Sequence, residues 1–526
     1  MISLNQKISL SETGLLPVLV NDYLLQKEAI SFLSAYPFSF DGFKKVLSDK
    51  ASDSVDRKLL VEVLSSQYES ISTTNSVTNN IQSLLSDKTF TVVAAHQPCL
   101  LMGPLYNIYK IAGAINITVQ LKQQYPEYNF VPVFWMGSED HDVMELNNTY
   151  INGRKIEWVT PGMGASGRWS TEGIKKVIDD LQAMGIGEDM MKVLKHGLET
   201  FSEFGRFTQY FVNELFQEYG LVVLDQDDAR FKHRFASVIR DEIFSNRAED
   251  VLKDNITFLE RHYKAQAKPR PINFFYLGQG FRERIVFNPL SQRYEINNQA
   301  VTFSREEMKA EIEQHPERFS PNVIFRPLYQ EILLPNLAFT GGAGELSYWL
   351  ELKPLFNYYH VNYPLLVMRS SAVIVNAATQ KKLEKLRLSI ADFLGDIDVL
   401  INRYVMKQMD EESRLLTEKE QVELIFQAIS DKAERADVTL KNSVQAEKQK
   451  VLATLENLES KMLKAEKRKQ ETAINQIRAI HAALFPDGIL QERRENFLPY
   501  YSSQFIKEAV NQLNPFDKSF FIFAHD

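Results

Sequence analysis

Two stretches carry residue types suited to acid–base and anion chemistry: His96, leading Gln-Pro-Cys-Leu-Leu-Met-Gly-Pro104, and the run Ser138-Glu139-Asp140-His141-Asp142. An imidazole titrates near neutrality and works through either nitrogen, so His96 suits an acid, a base or a donor to phosphate. The second run gathers three carboxylates and a histidine, enough for general acid–base work, for holding an amine or for a metal. Asp140 and His141 are the preferred catalytic pair beside His96, with Ser138, Glu139 and Asp142 expected against substrate. The alternative is that an Asp or Ser here only caps the next element. Thr340-Gly341-Gly342-Ala343-Gly344-Glu345 reads as a turn that cradles phosphate or carboxylate and opens a helix carrying Tyr348 towards the same crevice. It fits neither the Walker pattern nor a strict Gly-x-Gly-x-x-Gly. Arg369 offers a planar fork for a phosphate or carboxylate. Cys99 has no neighbour in sequence that would lower its thiol pKa, and it receives no catalytic role.

The elements that must position these residues follow a strand–helix alternation. Phe90-Thr-Val-Val-Ala-Ala95 is a continuous apolar run rich in β-branched residues, as a buried parallel strand requires. Gly103-Pro104 then opens a helix, where free backbone N–H groups favour an anion, so Gly103 is expected beside a cofactor. Leu105, Ile108, Tyr109, Ala112, Ile115 and Leu121 keep the helical period up to Tyr125-Pro126. Val131–Met136 returns as a strand. A right-handed crossover makes the two strands parallel and brings His96 and the 138–142 run to one sheet rim. Leu221–Leu224, Pro335–Phe339 and Pro364–Met368 repeat the pattern, the last two joined by a helix over Leu346–Tyr358. Residues 143–218 and 229–330 read as insertions, the second with β patterns at Asn273–Leu277 and Arg284–Phe287. Residues 1–88 read as helices joined by loops. The predicted division is a core over 1–379, a helical coiled-coil arm over 380–484 and a tail, 485–526, that returns to the core. The arm's seam is expected along Val444, Val451, Leu458 and Ala465 with Leu455 and Met462, pairing within the chain or with a second copy.

With 526 residues, 44% hydrophobic and 24% charged, the chain can bury a sizeable core. A net charge of -8 gives no basic surplus for nucleic acid, and a single cysteine rules out an internal disulfide. No secretory leader or membrane-spanning run is evident, so the expected place is the cytoplasm with neither nucleic acid nor membrane as partner.

His96-Gln-Pro-Cys-Leu-Leu-Met-Gly-Pro-Leu-Tyr106, Ser138–Asp142, Arg326-Pro-Leu-Tyr-Gln330, Gly341–Glu345 with Tyr348-Trp349, and Leu484-Phe-Pro-Asp-Gly488 with Leu490-Gln-Glu-Arg493 occur in that order. In these motifs the chain resembles the cysteine ligases of bacillithiol biosynthesis, the BshC family, which usually carry Gly where this chain has Cys99. The resemblance implies an α/β fold: a Rossmann-like parallel-sheet core with connecting insertions, similar to class I aminoacyl-tRNA synthetases, plus a long α-helical coiled-coil domain that forms a homodimer. It implies that cysteine is joined to glucosaminyl-malate to give bacillithiol, with ATP or another adenine nucleotide expected to activate the carboxylate as an adenylate. In that reading His96 and Arg369 steady negative charge, Asp140 or His141 accepts the amine proton, and Gln491 and Arg493 form a second nucleotide pocket. No residues are assigned to a metal, and a metal at the Asp-His cluster stays open. The synthetase signatures are incomplete: the second histidine of His-x-Gly-His is missing, and Met368-Arg-Ser-Ser371 matches the Lys-rich loop only loosely. That leaves a rival reading, a partner-dependent nucleotide-binding or assembly protein to which another protein supplies activated cysteine.

Overall fold

The computed structural model describes residues 2–409 and 415–525. Five strands, Thr89–His96, Asn129–Met136, Val222–Asp225, Asn336–Gly341 and Leu365–Met368, form one wholly parallel sheet. Across the sheet they run Leu365–Met368, Asn336–Gly341, Thr89–His96, Asn129–Met136, Val222–Asp225. The first strand in sequence is therefore central. The chain winds outward on one side, then crosses back to build the other, and the reversal falls between Thr89–His96 and Asn336–Gly341. At such a switch point the loops leaving the two strands diverge and open a crevice. The Thr89–Ala95 run is buried on both faces, which is why it reads as unbroken apolar sequence. The crossover helix Tyr106–Gln124 buries Ile108, Ile111, Ile115 and Leu121.

The second insertion contributes an antiparallel sheet of Phe274–Gly278, Phe281–Asn288, Arg293–Ile296, Thr302–Phe303 and Phe319–Pro321. The first contains a hairpin, Asn148–Ile151 with Arg154–Glu157, followed by helices.

Two local readings need correction. Ile2–Ser9 is a strand, not part of a helical segment, because it pairs antiparallel with the apolar strand Ser519–His525. Tertiary pairing overrides a segment of mixed local preference. The helix expected over 346–358 is two, Ala343–Trp349 and Lys353–Tyr358. Pro354 lacks the N–H that a continuous helix needs and sits instead in the first turn of the second.

The chain divides into two compact units, residues 1–374 with 489–526, and residues 375–488. Within the second, Leu416–Ala436 and Leu440–Lys469 lie side by side, joined by Lys419–Glu459 at 2.7 Å and Lys448–Glu423 at 2.8 Å. Half-buried positions on the longer helix are Val444, Lys448, Leu452, Leu455, Glu459, Leu463, Glu466 and Lys467. The seam thus departs from the heptad expected from sequence: Val451, Leu458 and Met462 remain exposed, as do Leu424, Ile425 and Ile429 on the neighbouring helix. Among the described residues no helix is long and apolar enough to cross a membrane.

Candidate functional site

A cavity of about 990 Å³ opens at the switch point. Strand ends supply His96, Gln97, Asp140, Gly342, Glu345 and Arg369. The antiparallel insertion supplies Phe275, Arg282 and Arg284, and the tail Arg493 and Arg494. Nine lysine and arginine side chains line it against three carboxylates, Asp140, Glu145 and Glu345, although the chain as a whole carries -8. A concave site with that surplus concentrates anions.

His96 ends its strand with both ring nitrogens engaged. Nδ1 lies 3.1 Å from the Gln97 carbonyl, which can only accept, so Nδ1 carries the proton. Nε2, 2.9 Å from the Tyr106 hydroxyl, then accepts. Burial, reinforced by Lys110, pushes the imidazole down to about 4. The ring is neutral at pH 7, which corrects its expected part as a charge that steadies phosphate. The unfolded chain would protonate near 6.5 while the native ring would not, so this contribution to stability is complete above 6.5 and is lost as the pH falls towards 4. ¹⁵N NMR should therefore find His96 neutral at pH 6 with the proton on Nδ1; a titration midpoint above 6 would contradict this. The Cys99 thiol, 3.5 Å from Nδ1, is raised to about 12 by burial and stays protonated.

The loop that follows is held in an unusual form. Leu101, Met102 and Gly103 all have positive φ, at 52°, 65° and 57°. For the first two this is strained. Asn107 Nδ2 donates to the Met102 carbonyl at 2.7 Å, and Asn496 Nδ2 to the carbonyls of Leu101 and Gly103 at 3.0 and 2.8 Å. Gly103 therefore serves the turn and does not line the cavity, a correction to its expected place at a cofactor. A Cβ there would meet Cys99 Cβ at 3.0 Å.

Lys110, one turn after Tyr106, is buried beneath the rim. It pairs with Glu345 at 2.5 Å and donates to the Ala95 carbonyl at 3.0 Å. Burial pushes Glu345 up, but Lys110 and the Gly342 N–H outweigh it and keep the carboxylate ionised. Arg369 is equally buried. Its Nη2 donates to Glu492 at 2.6 Å, and the same carboxylate accepts from Ser371 Oγ at 2.6 Å and the Ala372 N–H at 2.8 Å. Among the described residues Arg369 Nε is buried without a hydrogen-bond partner, and a Cβ on Gly342 would sit 3.5 Å from it. The bare glycine thus leaves room at a buried donor. Arg326 stands close by, donating to the Tyr348 hydroxyl at 3.0 Å.

Asp140 is the carboxylate of the acidic run that faces the cavity. Burial pushes it up, but hydrogen bonds with His141 and from Gln97 Nε2 at 2.9 Å, with the Arg282 charge, hold it well below the usual range. It is an anion at any working pH and suits an ammonium better than a proton transfer. His141 lies outside the cavity lining, which corrects its expected catalytic place. Arg282 donates to its Nδ1 at 3.2 Å and so occupies the lone pair a base would need.

Ser138 and Glu139 are fully buried below the rim and do not line the cavity. Glu139 pairs with buried Lys232 and accepts from Gln226 Nε2 at 2.7 Å. Ser138 donates to Asp225 in a short hydrogen bond. Asp225 is raised to about 7, by burial first and by Asp227. A carboxyl raised in the native state contributes stability below its unfolded value of 3.8 that is lost as the pH rises through 7. Asp225→Asn, which keeps an acceptor for Ser138, should therefore gain stability on going from pH 5 to pH 8.5, relative to wild type, by on the order of 2–3 kcal/mol in urea melts. A gain independent of pH would contradict this.

Three further expectations change place. Asp142 caps the short helix Val143–Leu146 by accepting from Met144 and Glu145 N–H groups, so the capping alternative applies to it. Gly341 is buried inside its strand, where its carbonyl accepts from the Arg369 N–H. Gln491 is buried and bound to both backbone groups of Ile374, so it has no face for a nucleotide. His96, Asp140, Gly342, Glu345, Tyr348, Arg369 and Arg493 do converge on the cavity. Sequence reasoning missed Lys110, Arg282 and Glu492. A lone charged residue in the stretch Ile108–Ile117 of the crossover helix was a usable signal for the first. Among the described residues no three His, Cys, Asp or Glu side chains converge as metal ligands.

Residues 4–370 match the family model described as bacillithiol biosynthesis BshC, N-terminal Rossmann-like domain, and residues 372–525 the one described as its C-terminal coiled-coil domain. Similar chains carry the name "Putative cysteine ligase BshC". One from Flavobacterium johnsoniae is 36% identical over 522 residues, covering 98% of each chain. One from Salinibacter ruber is 30% identical over 526 residues, 95% of this chain and 94% of its own. One from Bacillus cytotoxicus is 28% identical over 515 residues, 94% of this chain and 95% of its own.

Proposed function

Because this chain belongs to the BshC family of bacillithiol biosynthesis, we propose that it is the ligase that joins the carboxyl group of cysteine to the amine of glucosaminyl-malate, giving bacillithiol. The observation that carries this reading is the composition of the switch-point cavity, nine cations against three carboxylates, with Asp140 held ionised at its rim. Cations suit the carboxylates that both substrates bring, and Asp140 suits the ammonium.

Starting from the ammonium, forming the amide makes an N–C bond, breaks a C–O bond of the carboxyl group and releases two protons from nitrogen, one to water before the attack and one as the amide forms. ATP or another adenine nucleotide, when bound, supplies the leaving group that a free carboxylate lacks. The bare Gly342 backbone beside the unpartnered Arg369 Nε fits a phosphate or carboxylate, and Arg326 and Arg369 would hold it. Asp140 pairs with the incoming amine and orients it. The Tyr106 hydroxyl accepts the proton that the amine loses and passes its own to the lone pair of neutral His96, a relay supported by their 2.9 Å contact.

A cytoplasmic location belongs to the same proposal and is supported by the biosynthetic family and the lone protonated thiol. So does a homodimer, supported by the exposed Leu424, Ile425, Val451 and Leu458 on the helical unit.

The test is purified chain with cysteine, glucosaminyl-malate and ATP, read by mass spectrometry for bacillithiol and AMP. Both products are expected. Product that appears only when cell extract is added points instead to a partner that supplies activated cysteine.

A further inference from the structure

We propose that Arg270 and Arg284, on the cavity wall built by the antiparallel insertion, form a subsite for a small dicarboxylate, the malyl end of the amine-bearing substrate, and so decide which end of that molecule reaches Asp140. The proposal rests on the ligase reading above for the identity of the dicarboxylate, not for the existence of the subsite.

Strand alternation sets the geometry. Arg282 and Arg284 are two residues apart on Phe281–Asn288, so they share one face, and Phe275 lies opposite Arg284 on the paired strand. All three border the cavity. Arg282 is already committed: Nε donates to Ser320 Oγ at 2.9 Å, Nη1 to His141, and the guanidinium lies 4.0 Å from the Phe275 ring centre. Arg284 is different. Among the described residues its guanidinium has no acidic partner and no hydrogen bond, and the charge it faces is that of Arg270.

Arg270 is held in place through its backbone. Asn273, fully buried, accepts from the Arg270 N–H at 3.0 Å and donates to its carbonyl at 2.6 Å. The stem is thus fixed, and among the described residues its guanidinium makes no hydrogen bond or ion pair.

Elsewhere in the cavity the buried cations are compensated, Lys110 by Glu345 and Arg369 by Glu492. Arg270 and Arg284 form an uncompensated pair of like charges beside a partly apolar wall. Burial and this mutual repulsion both lower the affinity of Arg284 for its proton. A doubly charged oxyanion would relieve the repulsion, and each guanidinium fork matches one carboxylate. The same charge could come from a malyl group or from nucleotide phosphate. Two separate forks carried by the antiparallel insertion, rather than by the strand-end turn at Gly342, favour the dicarboxylate.

The experiment is titration calorimetry of the full chain with L-malate, L-lactate and inorganic phosphate, using wild type, Arg284→Ala, Arg284→Lys and the double variant with Arg270→Ala. Wild type should bind malate more tightly than lactate or phosphate. Arg284→Ala should weaken malate roughly 10- to 100-fold, with Arg284→Lys between the two because it keeps the charge without the fork. Equal malate affinity in Arg284→Lys, Arg284→Ala and wild type overturns the subsite, even if the chain makes bacillithiol. Phosphate bound in preference to malate overturns it in favour of the nucleotide. Arg284-dependent malate binding by a chain that makes no bacillithiol keeps the subsite and removes the ligase reading.

Discussion

Asp140→Asn should lower bacillithiol formation by roughly 10²- to 10³-fold, because it removes the only ionised carboxylate of the Ser138–Asp142 run that faces the cavity. The carboxylate is built to stay charged: Gln97 and the His141 N–H donate to it, and Arg282 stands beside it. In the proposed reaction its work is to hold and aim a cation, the sugar ammonium. Asparagine keeps one acceptor for those donors, so the variant should fold with a loss of about 1–2 kcal/mol. The kinetic signature should be a raised KM for glucosaminyl-malate together with a reduced kcat, and an unchanged KM for cysteine. Wild-type rates in Asp140→Asn would remove Asp140 from the amine site. A defect confined to cysteine would put it on the other substrate.

The second large effect concerns stability. Glu492→Ala should cost about 3–5 kcal/mol, the usual result of stripping a buried ion pair of one partner. Arg369 is 3% exposed and would be left as a buried charge without its hydrogen-bonded carboxylate partner, while Ser371 Oγ and the Ala372 N–H would lose their acceptor. The four tryptophans, at 135, 158, 169 and 349, all lie in the unit formed by residues 1–374 and 489–526, so fluorescence in urea follows that unit alone. Replacing both partners, as Arg369→Met with Glu492→Met, should recover part of the loss, since no charge is then stranded. An unchanged midpoint in Glu492→Ala would mean that the pair contributes nothing to the unit.

The parallel core was legible because its strands are buried and read as short apolar runs, three of the five with glycine or proline at the exit. What sequence could not supply was direction within a polar run. Ser138, Glu139, Asp140 and His141 follow one another on a turn, yet only Asp140 faces the cavity, while Glu139 points down to Lys232, almost a hundred positions later. Nor does local pattern foresee contacts made by distant segments. Glu492 and Asn496 act on Arg369 and on the loop over Leu101–Gly103, and the Ile2–Ser9 strand exists because Ser519–His525 pairs with it. The coiled-coil seam shifted for a related reason: a heptad marks which positions are apolar, and the neighbouring helix decides which are covered.

The tie between Arg369 and Glu492 spans 123 positions, and the whole helical unit lies between them in sequence. On the ribosome, then, the parallel strands emerge well before the acid that neutralises their last arginine. At about 5–20 residues per second the nascent chain waits on the order of 10 s with that arginine uncompensated. Gln491, which grips both backbone groups of Ile374, arrives in the same moment as Glu492. Completion of the crevice thereby waits until residues 491 and 492 have emerged, so a chain truncated within the helical unit is born without a finished site.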